Sequence, residues 1–90
     1  MSTIVDRFPT AGGATVEVAV RSGYFGRTDP TETYSVCSGC RDSDTVDWGW
    51  DPDCESGVQR HFDEGGKRST PIALAWAKKH ASRCRTAPTI

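Results

Sequence analysis

Two short motifs, far apart along the chain, constrain its fold more than anything else in the sequence. Cys37-Ser38-Gly39-Cys40 is a C-x-x-C turn, and His80 and Cys84 stand four residues apart near the C-terminus. On a helix, residues i and i+4 lie on one face, so the imidazole and the thiol reach the same side. Ser38 and Gly39 let the turn curl until both of its sulfurs face one point. Two thiolates from a turn, with an imidazole and a thiolate from a helix, make a ligand set for tetrahedral zinc, and a closed set of four is that of a structural site. The metal then ties together segments separated by the 39 residues between Cys40 and His80.

A chain of this size has reason to use such a tie. Ninety residues suit a single domain, 1–90, but small domains bury a modest fraction of their surface. Only 36% of the residues are hydrophobic, many of those are alanine, and nine Gly and five Pro favour turns over long elements. Structural zinc in small peptides supplies roughly 10–16 kcal/mol of apparent binding energy, enough to decide whether such a chain folds.

The cysteines admit other readings. Four of them could form two disulfides in an oxidising compartment. The N-terminus, Met1 to Arg7, has no apolar stretch of the secretory kind, and no run is long enough for a membrane span. The expectation is therefore a cytoplasmic protein with reduced thiols. Cys54 and His61 are alternative metal ligands: Cys54 in place of His80 in an all-cysteine site, or the two together in a second one. Four cysteines also admit an iron–sulfur cluster, which the placement of His80 does not require. A thiol redox role for Cys37 and Cys40 calls for a helix N-terminus to lower the thiol pKa, whereas Arg41 to Asp44 reads as a turn.

The coarse layout is that of a small zinc-stabilised α+β domain, two or three antiparallel strands packed against one C-terminal helix. Residues 1–13 read as a flexible arm, broken by Phe8-Pro9 and Gly12-Gly13, which leaves an ordered metal-binding region of about 14–86. Ala14 to Val20 alternates, with Val16, Val18 and Val20 on one face. Thr31 to Val36 has strand composition and leads into Cys37. Thr45 to Trp50 would be a third strand, making the C-x-x-C the tip of a hairpin. A long loop over 51–69, with a helical turn around Val58 to Phe62, precedes a helix from Pro71 to Arg83 or Cys84. Ser69 or Thr70 is placed to cap it, and Pro71 suits its first turn. Ala73, Trp76, Ala77, His80, Ala81 and Cys84 share its inner face.

Charge is unevenly spread. Residues 42–64 hold eight acidic side chains against Arg60 alone, and residues 65–90 hold six basic ones and no acidic one. Asp47, Asp51 and Asp53 do not follow a calcium-loop pattern. With Trp48 and Trp50, which share a face if their strand forms, they outline a partner-binding patch of the kind in which Trp is enriched; the same tryptophans also suit a thin core. Lys78, Lys79, Arg83 and Arg85 outline a cationic helix face suited to nucleic acid. No nucleophile–base pair and no phosphate loop appears, so no enzymatic activity is expected.

Val36-Cys37-Ser38-Gly39-Cys40 and the run Ala75-Trp76-Ala77-Lys78-Lys79-His80-Ala81-Ser82-Arg83-Cys84-Arg85 resemble small, zinc-finger-like actinobacterial proteins associated with phages and integrated mobile elements. These have a C-x-G-C turn and a final W-A-x-x-H-A-x-x-C-R helix. The resemblance covers about a quarter of the chain. It implies Cys37, Cys40, His80 and Cys84 as zinc ligands and implies no activity; the acidic segment with Cys54 is outside it. The leading functional expectation is a non-enzymatic, zinc-stabilised module binding a protein partner. The alternative is a nucleic-acid-binding regulator of a phage or mobile element.

Overall fold

Alternation in the two middle strands sets the architecture. The computed structural model describes residues 2–23, 29–49 and 63–87. Strands β1 (Ser2–Pro9), β2 (Thr15–Arg21), β3 (Glu32–Cys37) and β4 (Ser43–Asp47) form one antiparallel sheet in sequence order. Helix α1 (Ser69–Arg83) packs across one face of it. Pairing places Val16 opposite Cys37, Val18 opposite Ser35 and Val20 opposite Thr33. Val16, Val18, Thr33, Ser35 and Cys37 are fully buried. This is an α+β fold with a C-terminal helix on antiparallel strands, as expected, but the sheet has four strands.

The additional strand is the N-terminal segment expected to be a loose arm. Its period-2 signal is broken by a bulge: Ile4 pairs with Ala19 and Asp6 with Val18, leaving Val5 as the extra residue. Pro9 is tolerated because it ends an edge strand. Phe8, opposite Val16, packs against the core. At the other edge, β4 stops at Asp47, short of the expected Trp50, because Trp48 turns inward. Its backbone N–H donates to the Thr31 carbonyl at 2.9 Å, and the residue is 4% exposed.

The face of α1 that meets the sheet is built from Ser69, Ala73, Ala77 and Ala81, all buried and spaced by four. Such small side chains allow close approach but contribute little apolar area. Full burial of each valine beneath them contributes about 1.5–3 kcal/mol. One hydroxyl in this layer, Ser35 Oγ, is buried with no hydrogen-bond partner among the described residues.

The start of α1 corrects a second expectation. Neither Ser69 nor Thr70 caps the helix. The carboxylate of Asp63 does, accepting from the N–H of Arg68 at 2.9 Å and of Ser69 at 2.7 Å. The Thr70 hydroxyl instead lies 3.2 Å from that of Thr33, which also accepts the Trp48 indole N–H at 2.8 Å. Gly66, with φ of 68°, is pressed against the Trp48 ring, where a Cβ would collide with it. Among the described residues no helix is long and apolar enough to cross a membrane. The helical turn expected at 58–62 lies outside the described residues.

Candidate metal centre

The end of the sheet nearest the helix C-terminus gathers four donors. Cys37 is the last residue of β3, Cys40 closes the turn into β4, His80 lies in the last turn of α1, and Cys84 follows it. Their ligand atoms all lie within 4.8 Å of one another. Cys37 Sγ is 3.7 Å from Cys84 Sγ, and Cys40 Sγ is 3.3 Å from His80 Nε2. A tetrahedron with metal–sulfur arms of ~2.3 Å has sulfur–sulfur edges of ~3.8 Å, so the donor spacing fits a tetrahedral ion. All three sulfurs are free thiols. Cys37 and Cys84 are buried, His80 is half-buried and Cys40 is exposed, which leaves one corner of the cluster at the surface.

The backbone builds each half of this cluster. In the turn, the Arg41 N–H donates to the Cys37 carbonyl at 3.0 Å, and the Cys37 N–H donates to the Asp42 carbonyl at 2.9 Å. Closing it places Arg41 at a φ of 63°, a left-handed conformation that costs a side-chain-bearing residue roughly 1–2 kcal/mol. Ser38 anchors the turn to β2: its N–H donates to the Thr15 carbonyl and its hydroxyl accepts from the Thr15 N–H. Gly39 sits where the chain leaving α1 passes over, and a Cβ there would lie 2.6 Å from the Thr86 carbonyl oxygen. The β1–β2 loop closes the other side. The N–H groups of Ala11 and Gly12 donate to the carbonyls of Ala81 and Cys84 at 3.1 and 3.0 Å, satisfying acceptors at the helix end.

The donors are tuned by what surrounds them. The Thr86 backbone N–H, aided by the Cys37 thiol, the Thr86 hydroxyl and the Cys40 thiol, outweighs desolvation and lowers the Cys84 thiol to about 6. At Cys40 the Asp42 N–H favours the thiolate, but desolvation and the neighbouring Cys84 and Cys37 sulfurs raise its pKa above the ordinary 9.0. Trp76 stacks on the His80 ring, with centroids 4.9 Å apart and planes at 13°. His80 Nδ1 faces Asp42 Oδ2 at 3.8 Å.

The remaining candidate residues are placed as follows. The C-x-x-C lies on a hairpin turn, not at a helix N-terminus. Trp48 belongs to the core, so it offers no recognition surface, while Asp47 is exposed. Trp50, Asp51, Asp53, Cys54 and His61 lie outside the described residues. Lys78, Lys79, Arg83 and Arg85 are exposed. Lys79 and Arg83 line an open groove with Trp76, His80 and Cys84. Asp42 and Asp63 were not among the expected site or capping residues. The only sequence hint for Asp42 is its position two residues after the C-x-x-C, and Asp63 gives none that separates it from its acidic neighbours.

Comparison with protein families, curated proteins and solved structures yields no match. What the chain does must therefore be argued from the chemistry of this cluster and the surface beside it.

Proposed function

We propose that the chain is a non-enzymatic, zinc-stabilised interaction module that presents the outer face of α1 to a nucleic acid, as a small regulator of a phage or mobile element would. The metal reading rests on the donor set. Three thiolates and one imidazole favour zinc among common biological divalent ions. Four protein donors fill its tetrahedron, so no position is left for substrate or water, which argues for structure rather than catalysis. Zinc in such a site stabilises the fold by joining the β3–β4 turn to the end of α1. Unmodified thiols of this kind are kept reduced in the cytoplasm.

The observation that carries the nucleic-acid reading is the set of four exposed cations, Lys78, Lys79, Arg83 and Arg85, at the metal-anchored end of one helix. They make no ion pair among the described residues. Beside Lys79 and Arg83 the Trp76 ring lines the same groove. Phosphate contacts dominate such affinity and make it salt-dependent. The test is an anisotropy titration of the zinc-loaded protein with random-sequence duplex at two salt concentrations. Binding that weakens steeply with salt is expected, with the log–log slope reduced by roughly two units when Lys78 and Lys79 are both changed to Ala. No binding at low salt, or an unchanged slope in that variant, would overturn this reading.

A protein partner is the second reading. Burial of Trp48 removes one of its two tryptophans, and it now rests on Ile72, 57% exposed on α1, and on the exposed Asp47. A pull-down from native host lysate that loses its partner on Ile72→Asp would favour it.

A further inference from the structure

One residue outside the ligand set faces two of the four ligands. The Asp42 carbonyl accepts the Cys37 N–H at 2.9 Å. Its carboxylate is fixed at one end and faces the cluster with the other. Oδ1 accepts the Ser43 N–H at 3.0 Å, and Oδ2 lies 3.8 Å from His80 Nδ1. The other ring nitrogen, Nε2, points into the cluster, 3.3 Å from Cys40 Sγ.

The chemistry of imidazole makes this arrangement consequential. A metal-bound histidine is neutral, so when Nε2 is the ligand, Nδ1 carries the hydrogen. That N–H needs an acceptor, and an acceptor fixes both the tautomer and the ring direction. Trp76 holds one face of the His80 ring and leaves rotation in the ring plane uncontrolled. A carboxylate at Nδ1 supplies that missing restraint. The separation of 3.8 Å is longer than a hydrogen bond. The Asp42 side chain is 61% exposed, so a small rotation can shorten it without displacing packed neighbours.

We infer that Asp42 is the positioning residue of the metal centre: its carboxylate accepts the His80 Nδ1–H, selects the tautomer that offers Nε2, and raises the affinity for zinc. This rests on the zinc reading above. The backbone contacts of Asp42 survive any substitution of its side chain, so changing the side chain isolates the carboxylate.

The experiment compares the full chain with its Asp42→Ala, Asp42→Asn and Asp44→Ala variants. Zinc affinity is measured by competition with a chromophoric chelator. The His80 ring is followed by long-range proton–nitrogen NMR on the zinc-loaded proteins. Asp42→Ala is expected to weaken zinc binding about ten- to hundredfold, the range typical of such outer partners, and to broaden or lose the Nδ1–H signal. Asp42→Asn, whose amide oxygen still accepts, should lose less and keep the signal. Asp44→Ala removes the same charge two residues away and should leave both readouts unchanged. Equal losses in Asp42→Ala and Asp44→Ala would overturn the inference, since the effect would then be one of charge alone. So would coordination through Nδ1, or an unchanged affinity in Asp42→Ala. Should Asp42→Ala not fold in excess zinc, an unchanged affinity in Asp42→Asn overturns the inference and a partial loss supports it. A wild type that takes up no zinc overturns the zinc reading and this inference together. A wild type that binds while Asp42→Ala binds equally well overturns only the role of Asp42.

Discussion

The two ends of α1 are secured by different chemistry. At the N-terminal end, the restraints are ordinary ones: the Asp63 carboxylate on two backbone N–H groups, the buried Trp48 ring, and the Thr33–Thr70 hydroxyl pair. At the C-terminal end, two ligand donors from the helix side meet two from the sheet, and the Ala11 and Gly12 N–H groups add backbone support. Between these ends the helix contributes three buried alanines. The N-terminal anchor combines hydrogen bonds each worth about 1 kcal/mol or a little more with the burial of one aromatic ring. The other is a single cluster of four donors that could hold an ion, and its energy would then depend on that ion. The fold should therefore respond very unequally to damage at the two ends.

The sharpest way to break the comparison is to remove the metal. Structural zinc sites are worth roughly 10–16 kcal/mol in apparent terms, as much as the entire stability of a small domain. Chelation, or Cys37→Ser at a fully buried ligand, should abolish the cooperative melt and collapse the dispersion of the amide NMR spectrum. A chelated protein that still melts cooperatively would mean that the alanine and valine layer suffices, and that the two ends are more alike than their chemistry suggests.

The next effect belongs to the opposite end. Trp48→Ala in the zinc-loaded protein should cost about 3–5 kcal/mol by loss of the buried ring. Trp48→Phe, which loses chiefly the indole N–H to Thr33, should cost nearer 1–2 kcal/mol. Denaturant melts at saturating zinc measure both. If Trp48→Ala also lowers zinc affinity, the two ends are coupled through the helix rather than independent.

The smallest effect sharpens the same point through pH. Desolvation raises the Asp63 pKa, but the Ser69 N–H and hydroxyl, the Arg68 N–H and the Arg68 charge together hold it below the ordinary 3.8. A carboxylate with a lowered folded-state pKa stabilises the fold above its unfolded value, and that contribution disappears as pH falls through the folded value. Asp63→Ala should lower Tm by about 5 °C at neutral pH. The gap between variant and wild type should narrow below pH 3.8. A gap that persists unchanged in acid would show that Asp63 acts through packing rather than as a charged cap. Zinc on these donors would be held by groups that must lose protons, so acid would also release it. The comparison is therefore made on melts of protein that remains loaded, or on the amide protection of Arg68 and Ser69.

Much of this protein was legible because its signals are local. Alternation over residues 14–20 marks a strand whatever it pairs with, and a four-residue spacing on a Pro-started segment marks a helix face. Ligand chemistry is equally local: a C-x-x-C curls and an i,i+4 pair aligns, so Cys37, Cys40, His80 and Cys84 were identifiable before any fold was known. The misses share a different cause. The N-terminal strand is hidden by the bulge at Val5, which only its partner strand makes intelligible. Trp48 reads as a surface or a core residue until the end of β4 is placed. Asp63 and Asp42 look like members of one acidic segment, and nothing in their own neighbourhood separates a helix cap from a histidine partner. Local sequence thus determined the elements and the donor set. Which acidic side chain meets which helix end was decided only by tertiary structure, because a carboxylate's role depends on the N–H or imidazole that folding brings to it from elsewhere in the chain.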